Sequence, residues 1–372
     1  MPQPLATGVN LVAFNRAEIG IGESGRLAAR ALATTDVPFG IINFPMIVAP
    51  GMDDRTWVHK EMPDPIYKVN LFHMNADSMQ QAYQHFGPRL FGGRYNIGYW
   101  HWELPDFPEK DIASFAFVNE IWVPTTFVLE SVRRKSPVPV LKIPHGIEVQ
   151  VIPELTRETF QLPRDRFLFY TMYDVQSFQA RKNPQGVLEA FKRAFSRHDP
   201  SVGLVIKLNN SVFSSQDSEL LHRMIDGYPN IYIIDRIMNR LEVNSLLNLI
   251  DCYVALHRSE GFGLGFAEAM YLGKPVIGTN WSGNTDFMNS ANSCPVDYHF
   301  TSVGKNYGPY QAYQTWAEPS VDHAAGYMRE LVLNPGWRRQ IALNGFNTIR
   351  NEYSPQLVGQ QMKERLMQLG LI

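Results

Sequence analysis

His257-Arg258-Ser259-Glu260-Gly261-Phe262-Gly263-Leu264-Gly265-Phe266-Ala267-Glu268-Ala269-Met270 lies between two short apolar runs, Cys252–Leu256 and Pro275–Thr279. The first run reads as a strand. Glycines at 261, 263 and 265 then precede a short helix over Phe266–Leu272, and Gly273 before Lys274-Pro275 marks the end of that helix. A strand, a glycine loop, a helix and a second strand make the crossover unit of a parallel sheet. Such a loop also presents backbone N–H groups at a helix N-terminus, which suits a diphosphate. Two carboxylates, Glu260 and Glu268, flank it; each can accept paired hydrogen bonds from vicinal hydroxyls of a sugar or ribose.

The same rhythm extends outward in both directions. Strands are predicted near Val9–Phe14, Phe39–Asn43, Lys68–Phe72, Tyr95–Trp100, Glu120–Pro124 and Val140–Ile143, with helices over Ser24–Ala33, Ser78–His85, Pro108–Phe117 and Thr126–Lys135. Further along, strands fall near Phe167–Met172, Gly203–Leu208 and Ile231–Ile234, with helices over Pro184–Phe195, Ser218–Gly227 and Glu242–Leu249. Alternation of this kind predicts parallel sheets covered on both faces. The rhythm pauses in the proline-rich stretch from Pro144-His145-Gly146-Ile147 to Pro153. The expected fold is α/β, with two Rossmann-like doubly wound domains, 1–150 and 151–354, facing a cleft, and a C-terminal helix over 355–372 packing back on the first domain.

Composition narrows the partners. A net charge of -2 gives no global attraction to nucleic acid or anionic membrane. The apolar runs are far shorter than the roughly 20 residues that span a bilayer, and Met1-Pro2-Gln3-Pro4 has no secretory n-region. Cys252 and Cys294 have neither metal-ligand nor disulfide-scaffold spacing, which suits a reducing, cytoplasmic setting. Arg133-Arg134-Lys135 beside Phe127, Val128 and Leu129 offers at most a weak peripheral contact with an inner membrane face.

Gly20-Ile21-Gly22-Glu23-Ser24-Gly25 fits a dinucleotide fingerprint by letter only. Asn15–Ile19 separates it from the strand, and the second strand closes in Asn43-Phe44 without a carboxylate for a ribose. A nicotinamide oxidoreductase is therefore disfavoured. Gly20 and Gly22 instead read as an anion-binding turn before a helix starting near Ser24, or simply as a tight turn. Asp53-Asp54 reads as a hydrated surface turn and not as a metal motif.

The Glu260–Glu268 segment resembles the Glu-x7-Glu signature of the family-four retaining glycosyltransferases of GT-B fold. Neighbouring pieces fall in that family's order. Glu120-Ile121-Trp122-Val123-Pro124-Thr125 resembles its last N-domain strand and turn, Pro144-His145-Gly146-Ile147 its interdomain stretch, and Arg181-Lys182-Asn183-Pro184 its basic diphosphate motif. The resemblance implies that Glu260 contacts donor-sugar hydroxyls and Glu268 the ribose. It implies that Phe262, Gly263 and Leu264 hold the diphosphate through their backbone, and that Lys182 neutralises the leaving diphosphate. The charge logic agrees, since a fixed cation stabilises charge building on the β-phosphate. One position departs: an arginine common about six residues before that lysine is Gln176 here, and adjacent Arg181 is the candidate to supply the second positive charge.

His101, after the strand Tyr95–Trp100, matches a family histidine near the reacting sugar; His73 has a similar place and a weaker claim. Lys207 closes a second-domain strand as a candidate donor contact, and the base is expected near Ile234-Asp235-Arg236. The expected activity is retaining transfer of a hexose from a nucleotide diphosphate sugar, with GDP-mannose favoured over a UDP-hexose. The acceptor is a glycan or lipid-linked saccharide, with no metal, no cofactor and no nucleic acid. A non-catalytic nucleotide-sugar-binding subunit and a sugar phosphorylase remain open beside it.

Overall fold

The strand β1 (Ala6–Ala13) is buried from Gly8 to Ala13 and apolar there apart from Asn10, whose side chain hydrogen-bonds to the neighbouring strand, because it lies inside a six-stranded sheet. This computed structural model describes residues 5–45, 51–209, 219, 221 and 223–372, apart from the side chain of Gln176. The helix expected over Ser218–Gly227 lies in part outside them. The chain divides into two compact units, Met1–Glu148 with Glu352–Ile372, and Val149–Asn351.

In the first unit β1 is joined by β2 (Phe39–Asn43), β3 (Tyr67–His73), β4 (Tyr95–Tyr99), β5 (Glu120–Val123) and β6 (Val140–Lys142). All pairings are parallel and the order is β2-β1-β3-β4-β5-β6. The chain steps out from β1 to β2 and returns across β1 to β3. The order therefore reverses between β1 and β3, and ligands bind at the carboxyl ends of strands at such a switch point. The final helix, Pro355–Gln368, buries Val358, Met362 and Leu366 against the core that includes Ala31 and Leu32 of the helix Gly20–Ala33. Its Gly359 lies so close to Ala31 that an added Cβ would sit 2.2 Å from the Ala31 carbonyl oxygen. The Arg365 guanidinium pairs with the buried carboxylate of Glu120.

The second unit is also a six-stranded parallel sheet, with a different strand order, made of β7 (Phe167–Asp174), β8 (Val202–Asn209), β9 (Ile231–Asp235), β10 (Cys252–Ala255), β11 (Val276–Thr279) and β12 (Cys294–Val296). The order is β12-β11-β10-β7-β8-β9, again parallel, with the reversal between β7 and β10. Both sheets are thus doubly wound, as the alternation predicts. An antiparallel hairpin of β13 (Tyr298–Ser302) and β14 (Thr315–Pro319), absent from the sequence reading, is added to this unit.

Several boundaries correct the sequence reading. The helix expected from Ser24 starts at Gly20, so Gly20 and Gly22 occupy its first turn and are not a preceding loop. Gly22 is required there by packing, since a Cβ would lie 2.1 Å from the Ala17 carbonyl oxygen. The helix expected over Ser78–His85 continues from Ala76 to Phe91 with a break at Gly87, whose φ of 55 is cheap for glycine before Pro88. Pro108–Phe117 forms a 3-10 helix over Glu109–Phe117. Asp54 is no hydrated turn, because its carboxylate lies 3.3 Å from the buried Arg26 guanidinium, which also binds Glu23. Among the described residues no helix is long and apolar enough to cross a membrane. The basic run at 133–135 is largely neutralised locally: Arg133 pairs with Glu130 at 2.7 Å and Lys135 with Asp106 at 2.9 Å and Glu109 at 2.6 Å. Val128 beside it is buried.

Candidate active site

At the second unit's switch point, the chain leaving β7 forms a short helical turn, Gln179–Lys182, that ends in Asn183 with φ 49. Asparagine tolerates this left-handed conformation, and its side chain accepts from the Gly186 N–H to cap the helix Pro184–Ala194, with proline at the first position. The Asn183 amide donates to Leu256 O at 2.9 Å, which ties this turn to the end of β10. Arg181 and Lys182 are thereby delivered to the loop that follows β10. The Lys182 ammonium donates to Glu260 Oε1 at 2.5 Å, and Arg181 Nη1 lies 3.4 Å from the same oxygen. Arg181 is buried and also donates to Ser259 O at 2.9 Å, so it braces the loop as well as adding charge.

Opposite it, the turn Trp281-Ser282-Gly283-Asn284 supports Glu260 from behind. The Glu260 N–H donates to Ser282 Oγ at 2.8 Å, and the Gly283 N–H donates to Glu260 O at 2.9 Å. Burial by itself would raise the Glu260 carboxyl, but Lys182, Arg181 and His257 outweigh it and hold the group at about 2. Glu260 is therefore a fixed anion at neutral pH. His257, buried and pushed below its ordinary range, sits 3.0 Å from Asn284 Oδ1 and belongs to this bracing.

Gly263, with φ 93, is the residue before the helix Leu264–Tyr271; among the described residues no side chain caps that helix. The helix starts two residues earlier than Phe266. The Phe262 ring is buried against Phe287, with centroids 5.2 Å apart, so Phe262 can offer a ligand only its backbone. Glu268 is buried on the same helix. Its Oε1 pairs with Arg240, a partner missed in sequence, while its Oε2 is buried with no hydrogen-bond partner among the described residues. Lys207, buried at the end of β8, donates to Leu208 O at 2.5 Å; burial lowers its ammonium to about 8. Asp235 closes β9, and Arg236 beyond it pairs with Glu242 at 2.9 Å.

The first unit's switch point carries a different group. His73 is the last residue of β3, His101 lies just past β4, His145 follows β6, and Ser24 stands on the helix after β1. Ser24 Oγ lies 2.5 Å from His73 Nε2, 3.2 Å from His101 Nε2 and 3.4 Å from His145 Nε2. The Nε2 atoms of His101 and His145 are 3.0 Å apart. Burial pushes all three imidazoles down, His101 to about 4, so the cluster is uncharged. His145 and Ser24 were not singled out from sequence, although each follows a strand of the parallel sheet at its carboxyl side. Gly20 and Gly22 lie in the first turn of the Ser24 helix, with no side-chain cap among the described residues.

Residues 165–294 match the family model described as glycosyl transferases group 1. In the solved structures, sucrose-phosphate synthase from Thermosynechococcus elongatus is 14% identical with a TM-score of 0.70, covering 98% of this chain and 99% of that one. Anabaena Alr3699/HepE, solved with UDP and glucose, is 12% identical with a TM-score of 0.68 over 98% of this chain and 100% of that one. A glycosyltransferase from Rickettsia africae is 12% identical with a TM-score of 0.67, covering 96% of this chain and 97% of that one. No curated protein sequence matches the chain. The group 1 match lies within the second unit, and the chain shares the fold of these structures along nearly its whole length.

Proposed function

We propose that this chain, a GT-B glycosyltransferase with its group 1 segment in the second unit, moves a hexose from a nucleoside diphosphate sugar to a hydroxyl of a glycan or lipid-linked saccharide, with retention at the anomeric carbon. The observation that carries this reading is the cluster of Lys182, Arg181 and Glu260 at the switch point, beside an uncapped helix start and a buried, half-satisfied Glu268. A diphosphate matches the two cations and the backbone donors of Phe262, Gly263 and Leu264. The Oε2 of Glu268, without a hydrogen-bond partner among the described residues, is suited to a ribose hydroxyl, and Glu260 to hydroxyls of the transferred sugar.

In the proposed reaction the bond between the anomeric carbon and the β-phosphate oxygen breaks, and its electron pair stays on the leaving diphosphate. Lys182 and Arg181 stabilise that charge without a metal ion. The acceptor oxygen bonds to the anomeric carbon on the face the diphosphate leaves, and its proton passes to a leaving phosphate oxygen. We assign His101 to the reacting sugar, Lys207 to the donor, and the first-turn amides of Gly20 and Gly22 to an anionic group of the donor. The buried free thiols of Cys252 and Cys294 fit a reducing, cytoplasmic setting.

The donor base is the open choice. The HepE structures hold UDP, glucose and UDP-glucose, which supports uridine ahead of the GDP-mannose favoured from sequence. The test is turnover: each sugar nucleotide is incubated with saccharide acceptors in chelator, and the anomeric configuration is read by proton NMR. Release of free nucleoside diphosphate with a retained glycoside supports the assignment. Inversion, a strict divalent-ion requirement, or sugar phosphate as product would overturn it, the last by pointing to a phosphorylase.

A further inference from the structure

We infer that Ser24, His73, His101 and His145 form a binding site in the first unit for one divalent transition-metal ion of the zinc type. All three rings converge on a single place through the same atom, Nε2, and their ring nitrogens can be chosen within 4.8 Å of one another. An ion held tetrahedrally by imidazoles at about 2.0–2.1 Å separates its ligand atoms by about 3.3 Å. Around Ser24 Oγ the separations are 2.5, 3.2 and 3.4 Å, and His101 Nε2 and His145 Nε2 are 3.0 Å apart. Three of these four separations are near that spacing and the fourth, Ser24 Oγ to His73 Nε2, is shorter, with the serine hydroxyl standing where water or a hydroxyl ligand sits in open zinc sites.

A second observation fixes one ligand's proton. Tyr99 Oη donates its hydrogen to Ile143 O at 2.7 Å and lies 3.3 Å from His145 Nδ1. It can only accept from that ring, so Nδ1 carries the hydrogen and the Nε2 lone pair points into the cluster. A metal-bound imidazole usually donates its outer ring N–H to an oxygen in this way, here to the Tyr99 hydroxyl oxygen. With His73 and His101 in the same tautomer as His145, the three Nε2 lone pairs face one another and a cation would serve them together. The ligand set is all nitrogen and hydroxyl, which selects zinc, cobalt, nickel or copper over magnesium or calcium. His73 Nδ1 and His101 Nδ1 are buried with no partner among the described residues. Missing outer partners of this kind each cost about 10–100-fold in affinity, so the site is expected to bind more weakly than a zinc site with a complete outer shell.

Occupation of the site takes His101 Nε2, so the ion excludes the role assigned above to His101; that consequence alone rests on the proposed function. The loaded protein would be the slower form.

The test uses the full chain stripped with chelator and titrated with Co2+. The expected result is one ion per chain with the intense visible bands of tetrahedral cobalt, displaced by Zn2+ and untouched by Mg2+. His145→Ala and His73→Gln should each abolish the bands, and Tyr99→Phe should weaken binding about 10-fold. Near-ultraviolet circular dichroism checks that each variant is folded. Two folded histidine variants that bind Co2+ as the native chain does, or a native chain with no bands at millimolar Co2+, would overturn the site. Zn2+ inhibition of transfer supports its link to His101. Tetrahedral binding with unchanged turnover keeps the site and overturns the role of His101.

Discussion

Each switch point lies beside the first strand of a six-stranded parallel sheet, although the two strand orders differ, and the two are chemically opposite. In the first unit, three uncharged imidazoles and a hydroxyl share one small space. In the second, a lysine and an arginine converge on one carboxylate held at about 2. The fold thus specifies where side chains meet, and the residues placed there decide what they meet for. Permanent charge suits a diphosphate, whose own charge rises as the glycosidic bond breaks. Neutral nitrogen suits a proton, a hydroxyl or a soft cation.

The contrast can be broken at its charged end first. Lys182→Ala removes the cation closest to Glu260, and transfer is expected to fall about 10³-fold, a loss of about 4 kcal/mol in transition-state stabilisation. A drop under 10-fold in steady-state turnover would remove Lys182 from the chemistry. Arg240→Ala leaves the buried Glu268 carboxylate without its ion pair and should destabilise the second unit by about 3 kcal/mol in urea unfolding. A variant as stable as the native chain would mean that Glu268 finds another partner.

Acid should separate the two clusters. The folded Glu260 carboxyl lies below its ordinary value of 4.5, so its contribution is complete above that value and is lost as pH falls through about 2. About 3 kcal/mol is expected from a shift of this size. Glu260→Gln should flatten that acid limb; identical acid melts of the two proteins would contradict it. The smallest effect belongs to the neutral cluster. Ser24→Ala deletes an uncharged hydrogen bond and should cost about 1 kcal/mol, well below Arg240→Ala. Equal costs in the two units would erase the distinction.

Much of this was legible in the chain. Apolar runs such as Phe39-Gly40-Ile41-Ile42 and Ile121-Trp122-Val123 declare buried parallel strands because both faces are covered. Motif order singled out Lys182 and Glu260 separately, and their ion pair appears only in the structure. The imidazole cluster did not, because Ser24, His73, His101 and His145 are far apart in sequence and meet only through strand order. The partner of Glu268 was hidden for a similar reason: Arg240 lies on another helix, 28 residues away. The start of the Gly20–Ala33 helix was misjudged because glycine usually marks a turn, whereas Gly22 is there to admit the Ala17 carbonyl. The hairpin β13–β14 escaped because half-exposed aromatic residues such as Phe300 give no clean alternation.

The most direct test of the central claim is calorimetric titration of the native chain and Glu260→Ala with UDP-glucose, GDP-mannose and their free nucleoside diphosphates. If the second unit's cluster holds a sugar donor, one sugar nucleotide binds the native chain more tightly than its own diphosphate, and that margin disappears in Glu260→Ala while the diphosphate still binds. A margin unchanged by the substitution, or no binding of any sugar nucleotide to the native chain, would contradict it.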